Sequence, residues 1–254
     1  MISKNKLKYI RSLGMKKFRA EEGVFVAEGP KVVGDLLRGG FELRYAVLAE
    51  KADTLLQELI LKSHAETDFV TDEELRRISL MEAPQQVLAV FRQPQWKVDA
   101  HDVIQHQLCI ALDEVQNPGN VGTIIRLADW FGIQHVFCST GCADVFAPKT
   151  VQATMGALAS VQVHECDLKE LLSHVGDAPV YGTFLDGENI YEKHLEQRGL
   201  IVMGNEGRGI SQQVASCVTD RLLIPNFPPG TPTTDSLNVA VATAVVCAEF
   251  RRQA

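Results

Sequence analysis

Short apolar runs of four to six residues recur along the chain, separated by segments in which apolar positions follow a helical spacing, so the pattern predicts alternating strands and helices. VFVAE (24–28), LRYAVL (43–48) and VLAVF (87–91) read as strands. Pro30 opens a helix at a position where its missing N–H costs nothing, and Gly39 with Gly40 closes it. A basic helix over 4–19 interrupted near Gly14, a helix over 53–63, and a helix started by Thr71 with Glu74 as a capping box fill the rest of residues 1–92. Residues 93–107 hold Pro94 and many polar groups with little apolar periodicity, the pattern of a linker.

A second alternation runs from LCIAL (108–112) to the end of the chain, with strands near 135–138, 161–165, 179–184, 200–203 and 221–224. Near-continuous apolar strands separated by helices imply an α/β fold whose parallel sheet is covered on both faces. The predicted helix 236–250 is apolar nearly all round, so it needs burial in a core or against another subunit.

The length of 254 residues suits one large or two ordinary domains, and 46% hydrophobic with 22% charged residues is a globular composition. The net charge of -7 excludes a uniformly basic nucleic-acid binder, yet residues 1–19 carry Lys4, Lys6, Lys8, Arg11, Lys16, Lys17 and Arg19 with no acidic residue. The six cysteines form no CxxC pair and mostly sit in apolar runs, as reduced buried thiols do. Charges occupy the N-terminal positions where a signal peptide needs its apolar stretch, and no apolar run approaches the ~20 residues of a bilayer span. A soluble cytoplasmic protein is expected.

Familiar phosphate-loop, zinc-protease, nucleophile-elbow and dinucleotide fingerprints are absent, and the seven histidines are scattered without metal-ligand spacing, so no metal is expected. Three clusters remain, each at the carboxyl end of a predicted strand, where open parallel sheets bind ligands. The first is Gln116-Asn117-Pro118-Gly119-Asn120 followed by VGTIIR, ending at Arg126; a charge amid those apolar neighbours needs a purpose. The second is Gly204 to Ile210, whose three glycines permit close approach to the main chain. The third spans Asn226 to Asp235 and leads into Ser236, Leu237 and Asn238. Each alone is compatible with a capped loop.

Together these clusters resemble the SpoU (TrmH-like) family of SPOUT RNA 2′-O-ribose methyltransferases. NPGNVGTIIR, IVMGNEGRGIS and IPNFPPGTPTTDSLNVAVATAV correspond to the family's three motifs in order, and DVFAPKTVQATMGAL resembles the segment between the first two, with Gln152 where an arginine is common. Residues 1–92, including FVAEGPKVV, are similar to the family's L30e-type substrate-binding domain. Ten residues separate Pro225 from Ser236, more than the family's usual spacing.

The resemblance implies an L30e-like domain over 1–92, a linker over 93–107 and a SPOUT methyltransferase domain with a deep trefoil knot over 108–254. It also implies a homodimer, S-adenosyl-L-methionine as cofactor, and ribosomal or transfer RNA as substrate. Carried over residue by residue, the catalytic positions are Asn120, Arg126, Glu206, Ser236 and Asn238, and the cofactor positions are Thr183, Gly204, Ile224, Leu237 and Asn238. The basic residues of 1–19 are expected to bind RNA. A guanidinium stays protonated under nearly all conditions, so Arg126 is read as orienting the ribose and stabilising alkoxide charge. A salt bridge anchoring its helix is the structural alternative. A non-catalytic RNA-binding or ribosome-assembly factor, and a small-molecule enzyme on the same sheet, remain the rival functions.

Overall fold

The computed structural model describes residues 2–228, 231 and 236–254. The chain divides into two compact units, Met1–Gln95 with Asp144–Ser160, and Trp96–Ala143 with Val161–Ala254.

The first unit begins with α1 (Lys4–Ser12) and α2 (Lys16–Glu22), the basic helix having broken at Gly14 as its sequence suggests. It continues through β1 (Val24–Glu28), α3 (Pro30–Arg38), β2 (Leu43–Ala49), α4 (Thr54–Lys62), β3 (Glu66–Val70), α5 (Asp72–Ile78) and β4 (Val87–Arg92). Thr71 and Glu74 make the capping box in both directions. The sheet order is β1-β4-β2-β3, antiparallel except for the β2–β3 pair. Ile10, Leu13, Val24, Val26, Val47 and Val90 are buried together on one side of it, each stabilising the unit by ~1.5–3 kcal/mol. β3 is absent from the sequence reading because ETDFV is an edge strand with two carboxylates, a composition that disfavours strands. The segment 144–160 joins this unit through a ring contact of Phe146 with Phe25 at 5.0 Å and a bond from Lys31 Nζ to the Met155 carbonyl at 2.7 Å. It contains α8 (Pro148–Thr154).

The second unit holds α6 (Ala100–His106), β5 (Leu108–Leu112), α7 (Pro118–Trp130), β6 (His135–Ser139), β7 (Gln162–Cys166), α9 (Leu168–Ser173), β8 (Val180–Asn189), β9 (Gly199–Met203), α10 (Gln212–Ala215), β10 (Asp220–Leu223) and α11 (Val239–Arg252). α6 lies within the segment read as a linker; Asp99 caps it and its buried Val103 and Ile104 give it a core face too short to register as periodic. The six strands are all parallel in the order β10-β8-β9-β5-β6-β7. Every residue of β5 and β9 is buried, which explains the unbroken apolar runs. The chain leaves β5 toward β6 and β7, then returns to the other side for β8, β9 and β10. β5 and β9 therefore flank the point where strand order reverses, and their carboxyl ends open onto the crevice where such sheets bind ligands. α11 packs on α7, and Arg251 donates from Nε to the Phe131 carbonyl at 2.7 Å, satisfying the end of α7.

Candidate functional site

The loops after β5 and β9 meet at that crevice because each is shaped by its own turn chemistry. Asn117 caps α7, its Oδ1 accepting from the Gly119 and Asn120 N–H groups at 2.8 and 3.2 Å, with Pro118 in the first turn. Asn205 accepts from the Gly207 and Arg208 N–H groups, both at 3.0 Å, and donates from Nδ2 to the Glu114 carbonyl at 2.8 Å. Gly204 is irreplaceable here, since a Cβ on it would lie 2.3 Å from the main chain of Gly209 and Ile210.

Glu206 joins the two loops. Its carboxylate accepts from the Gln116 N–H at 3.4 Å, the Asn117 N–H at 3.3 Å and Asn120 Nδ2 at 2.9 Å. Asn238 then donates from Nδ2 to Asn120 Oδ1 at 3.1 Å, while its own Oδ1 caps α11 through the Ala240 and Val241 N–H groups. Residues 86 and 118 positions apart in the sequence thus form one run, Glu206–Asn120–Asn238. Burial pushes the Glu206 carboxyl upward, but the hydrogen bonds from Asn120 and the surrounding N–H groups prevail and hold it below its ordinary value. It is an acceptor at neutral pH with its oxygens already engaged.

Arg126 lies on α7, exposed, and makes no hydrogen bond or ion pair among the described residues. The anchoring salt bridge is therefore not among its described contacts. Ser236 and Leu237 are exposed just before α11, Ile224 is half-buried just beyond β10, and Thr183 is half-buried in β8. Asp235 and the other residues of the third cluster at 229, 230 and 232–234 lie outside the described residues.

Glu114 was not singled out by the sequence, and Arg208 only as a member of the second cluster. Glu114 has a left-handed φ of 55° at the end of β5, its N–H donates to Ser139 Oγ at 2.9 Å, and its carboxylate accepts from Arg208 at 2.5 Å. Asp113 accepts from the Ser211 N–H at 2.7 Å. Only the Asn-x-Gly and acidic turn residues of these loops hinted at such local bonding.

For the implied cofactor, Gly204, Ile224 and Leu237 all lie just beyond the carboxyl ends of strands or before α11, and the Leu237 main chain forms no hydrogen bond among the described residues. The apolar side chains of Ile224 and Leu237, beside main-chain groups without a partner among the described residues, suit a ligand with an adenine and a polar tail, so these residues fit S-adenosylmethionine. Among the described residues no three His, Cys, Asp or Glu side chains gather as a metal site, and no helix is long and apolar enough to cross a membrane.

The basic N-terminal residues separate into two groups. Lys4, Lys8 and Arg11 recur at helical spacing on α1 and are exposed, as are Lys16 and Lys17 on α2. Lys17 approaches Glu21 at 3.8 Å, and Arg11 donates to the Arg77 carbonyl at 2.6 Å. Lys6 instead pairs with Glu66 and Asp68, both at 2.7 Å, and lies over the Tyr45 ring. Arg19 departs furthest from the expected solvent-facing set. It is buried, bonds the Leu13 carbonyl at 2.7 Å and pairs with Asp144, because α2 turns it toward the 144–160 segment. Arg19→Ala leaves the Leu13 carbonyl without that bond and the part-exposed Asp144 without its ion partner, so it should lower unfolding stability by about 2 kcal/mol in urea titration; a loss under ~0.5 kcal/mol would contradict the pairing.

Residues 107–248 match the SpoU rRNA Methylase family, and residues 4–89 match the MRM3-like substrate binding domain. The chain is 27% identical, over 97% of its length and 96% of the relative's, to a 23S rRNA guanosine 2′-O-methyltransferase of Bacillus subtilis. A TrmH-family structure from Porphyromonas gingivalis is similar at 43% identity and a TM-score of 0.88, with both chains fully covered. An AdoMet-bound rRNA methyltransferase from Sinorhizobium meliloti is similar at 28% identity and a TM-score of 0.87, covering 99% of this chain and 96% of that one.

Proposed function

Because the chain belongs to the SpoU rRNA methylase family, we propose that it is an S-adenosylmethionine-dependent enzyme that methylates a ribose 2′-hydroxyl of ribosomal RNA. The observation that carries this reading is the hydrogen-bonded run Glu206–Asn120–Asn238, which joins residues of the three motifs, while Arg126, on the same helix as Asn120, has no hydrogen-bond or ion-pair partner among the described residues. Ribosomal RNA is favoured over transfer RNA because relatives matched over nearly the whole chain, from Bacillus subtilis and Streptomyces viridochromogenes, are named for 23S rRNA.

When bound, S-adenosylmethionine supplies an electrophilic methyl group on a sulfonium. The residues must bring a hydroxyl oxygen in line with it and lower the cost of losing the hydroxyl proton. Arg126 orients the ribose and stabilises the developing alkoxide while remaining protonated, and the hydroxyl proton leaves to solvent water as the C–O bond forms. Glu206, its oxygens taken up by Gln116, Asn117 and Asn120, organises the crevice instead of accepting a proton. Asn120 transmits that order to Asn238, and Ser236 stands at the crevice mouth as a further polar contact for the ribose. Thr183, Gly204, Ile224, Leu237 and Asn238 hold the cofactor. Transfer of label from methyl-labelled S-adenosylmethionine to unmodified ribosomal RNA tests the proposal. A protein that binds the RNA and transfers nothing would be the non-catalytic factor instead.

Domain roles follow the same reading, with residues 1–92 capturing RNA and 108–254 catalysing transfer, while 93–107, read as a linker, carries α6 into the second unit and 144–160 packs with the first. Lys4, Lys8, Arg11, Lys16 and Lys17 form the capture surface, without Lys6 and Arg19. Replacing Lys4 and Lys8 with Gln should weaken RNA binding about tenfold near 0.1 M salt and flatten its salt dependence by about two phosphate contacts. Unchanged binding would remove the idea.

The protein is a homodimer in this proposal. Trp130 on α7 is 82% exposed and Val241 on α11 is 51% exposed, on the two helices that pack together, leaving apolar surface for a second copy. Sedimentation at micromolar concentration should give twice the 28.0 kDa chain mass, and a stable monomer would contradict it. A knotted C-terminal segment and a cytoplasmic location, where ribosomal RNA is assembled, complete the reading.

A further inference from the structure

Five residues of β8 have no partner in the β10 ladder. The two strands pair Asp220 with Tyr181 and Arg221 with Gly182, and the register then jumps so that Leu222 meets Glu188 and Leu223 meets Asn189. Residues Thr183, Phe184, Leu185, Asp186 and Gly187 bow out between those pairs, with Leu185 78% exposed. An unpaired bulge of this length has many conformations open to it unless side chains hold it.

Arg221 grips it on both limbs. Its guanidinium carbon lies 3.5 Å from the centroid of the Phe184 ring on the outgoing limb, and its Nη2 donates to Asp186 on the returning limb. The rest of the bulge is built to let this happen. A Cβ on Gly182 would lie 2.6 Å from the Phe184 ring, so the ring folds back over a residue with no side chain. A Cβ on Gly187 would lie 2.5 Å from the Leu222 main chain, so the returning limb presses directly onto β10. The ion pair is half exposed and holds little alone; the planar stack on an aromatic face is what distinguishes arginine here.

The bulge begins at Thr183, and the strand that carries Arg221 runs on into Ile224, two of the positions assigned to the cofactor. We propose that Arg221 is a positioning residue for S-adenosylmethionine, holding the 183–187 bulge as a preformed wall of the cofactor pocket. This rests on the methyltransferase reading above. Arg221 acts through Phe184 and Asp186 and does not touch the reacting atoms, so it sets cofactor affinity and leaves the chemical step alone.

The test compares the wild-type chain with Arg221→Ala, Arg221→Lys and Phe184→Leu. S-adenosylmethionine is titrated calorimetrically into each, and amide hydrogen exchange over 183–187 is followed in the cofactor-free proteins. Arg221→Ala should weaken S-adenosylmethionine binding about tenfold and speed exchange at the bulge, with kcat at saturating cofactor and KM for RNA unchanged. Phe184→Leu, which keeps apolar volume but removes the π face, should show the same two shifts. Arg221→Lys, which keeps the charge but not the plane, should fall between Arg221→Ala and wild type. Wild-type affinity and exchange in both Arg221→Ala and Phe184→Leu would overturn the proposal alone. A wild-type chain that binds no S-adenosylmethionine would overturn the methyltransferase reading and the proposal with it.

Discussion

Arg126→Ala should lower methyl transfer by about a thousandfold while S-adenosylmethionine binding and thermal stability stay close to wild type. A positive charge beside an oxygen that becomes anionic only in the transition state is worth several kcal/mol once bound RNA covers the site from water, and ~4 kcal/mol corresponds to about three orders of magnitude. Stability should hold because Arg126 has no hydrogen-bond or ion-pair partner among the described residues, and alanine is the better helix former at an exposed position of α7. Calorimetric titration, a melting curve and a transfer assay on one sample check all three expectations. Full activity in the folded variant would reject the assignment. A fall in melting temperature of ten degrees alongside lost activity would show that the side chain anchors its helix.

Asn238→Ala should be nearly as damaging by a different route. The side chain caps α11 through the Ala240 and Val241 N–H groups and also donates to Asn120. Losing it removes a cap worth ~1 kcal/mol of stability, frees the segment that carries Leu237, and releases Asn120 on one side. Cofactor binding should weaken at least tenfold and transfer about a hundredfold. Asn238→Asp separates the two roles, since its carboxylate still caps the helix but cannot donate to Asn120. Its melting temperature should match wild type while transfer stays low. Recovery of both stability and transfer in Asn238→Asp would mean that the cap alone mattered.

Most strands were legible because a parallel sheet buried on both faces requires continuous apolar runs, as LCIAL in β5 and GLIVM in β9 display. β3 was not, since an edge strand with Glu66 and Asp68 carries its charges outward to meet Lys6 from α1. The three motif loops could be recognised by their Asn, Gly and Pro turns, and the placement of each at a strand's carboxyl end followed from the alternation of elements. What the sequence could not reveal is that Asn120 stands between Glu206 and Asn238, because those bonds depend on β5 and β9 flanking the reversal of strand order.

Charge misled for the same reason. Counting seven basic residues in the first nineteen treats each as free. Asp144, the partner of Arg19, is 125 positions away, and Asp68, a partner of Lys6, is 62 positions away. Local charge density shows where a field could be, and long-range pairing decides which members of it face solvent.

In the proposed reaction the methyl group goes to a ribose oxygen of ribosomal RNA. Ribosomal RNA lacking the modification, incubated with the protein and methyl-labelled S-adenosylmethionine, is digested to nucleosides and analysed by mass spectrometry. The label should appear in a single 2′-O-methylated nucleoside, with the added mass on the sugar fragment, and should vanish with Arg126→Ala. Label on a base fragment, or no label in RNA that the protein binds together with the cofactor, would rule out ribose methylation by this protein.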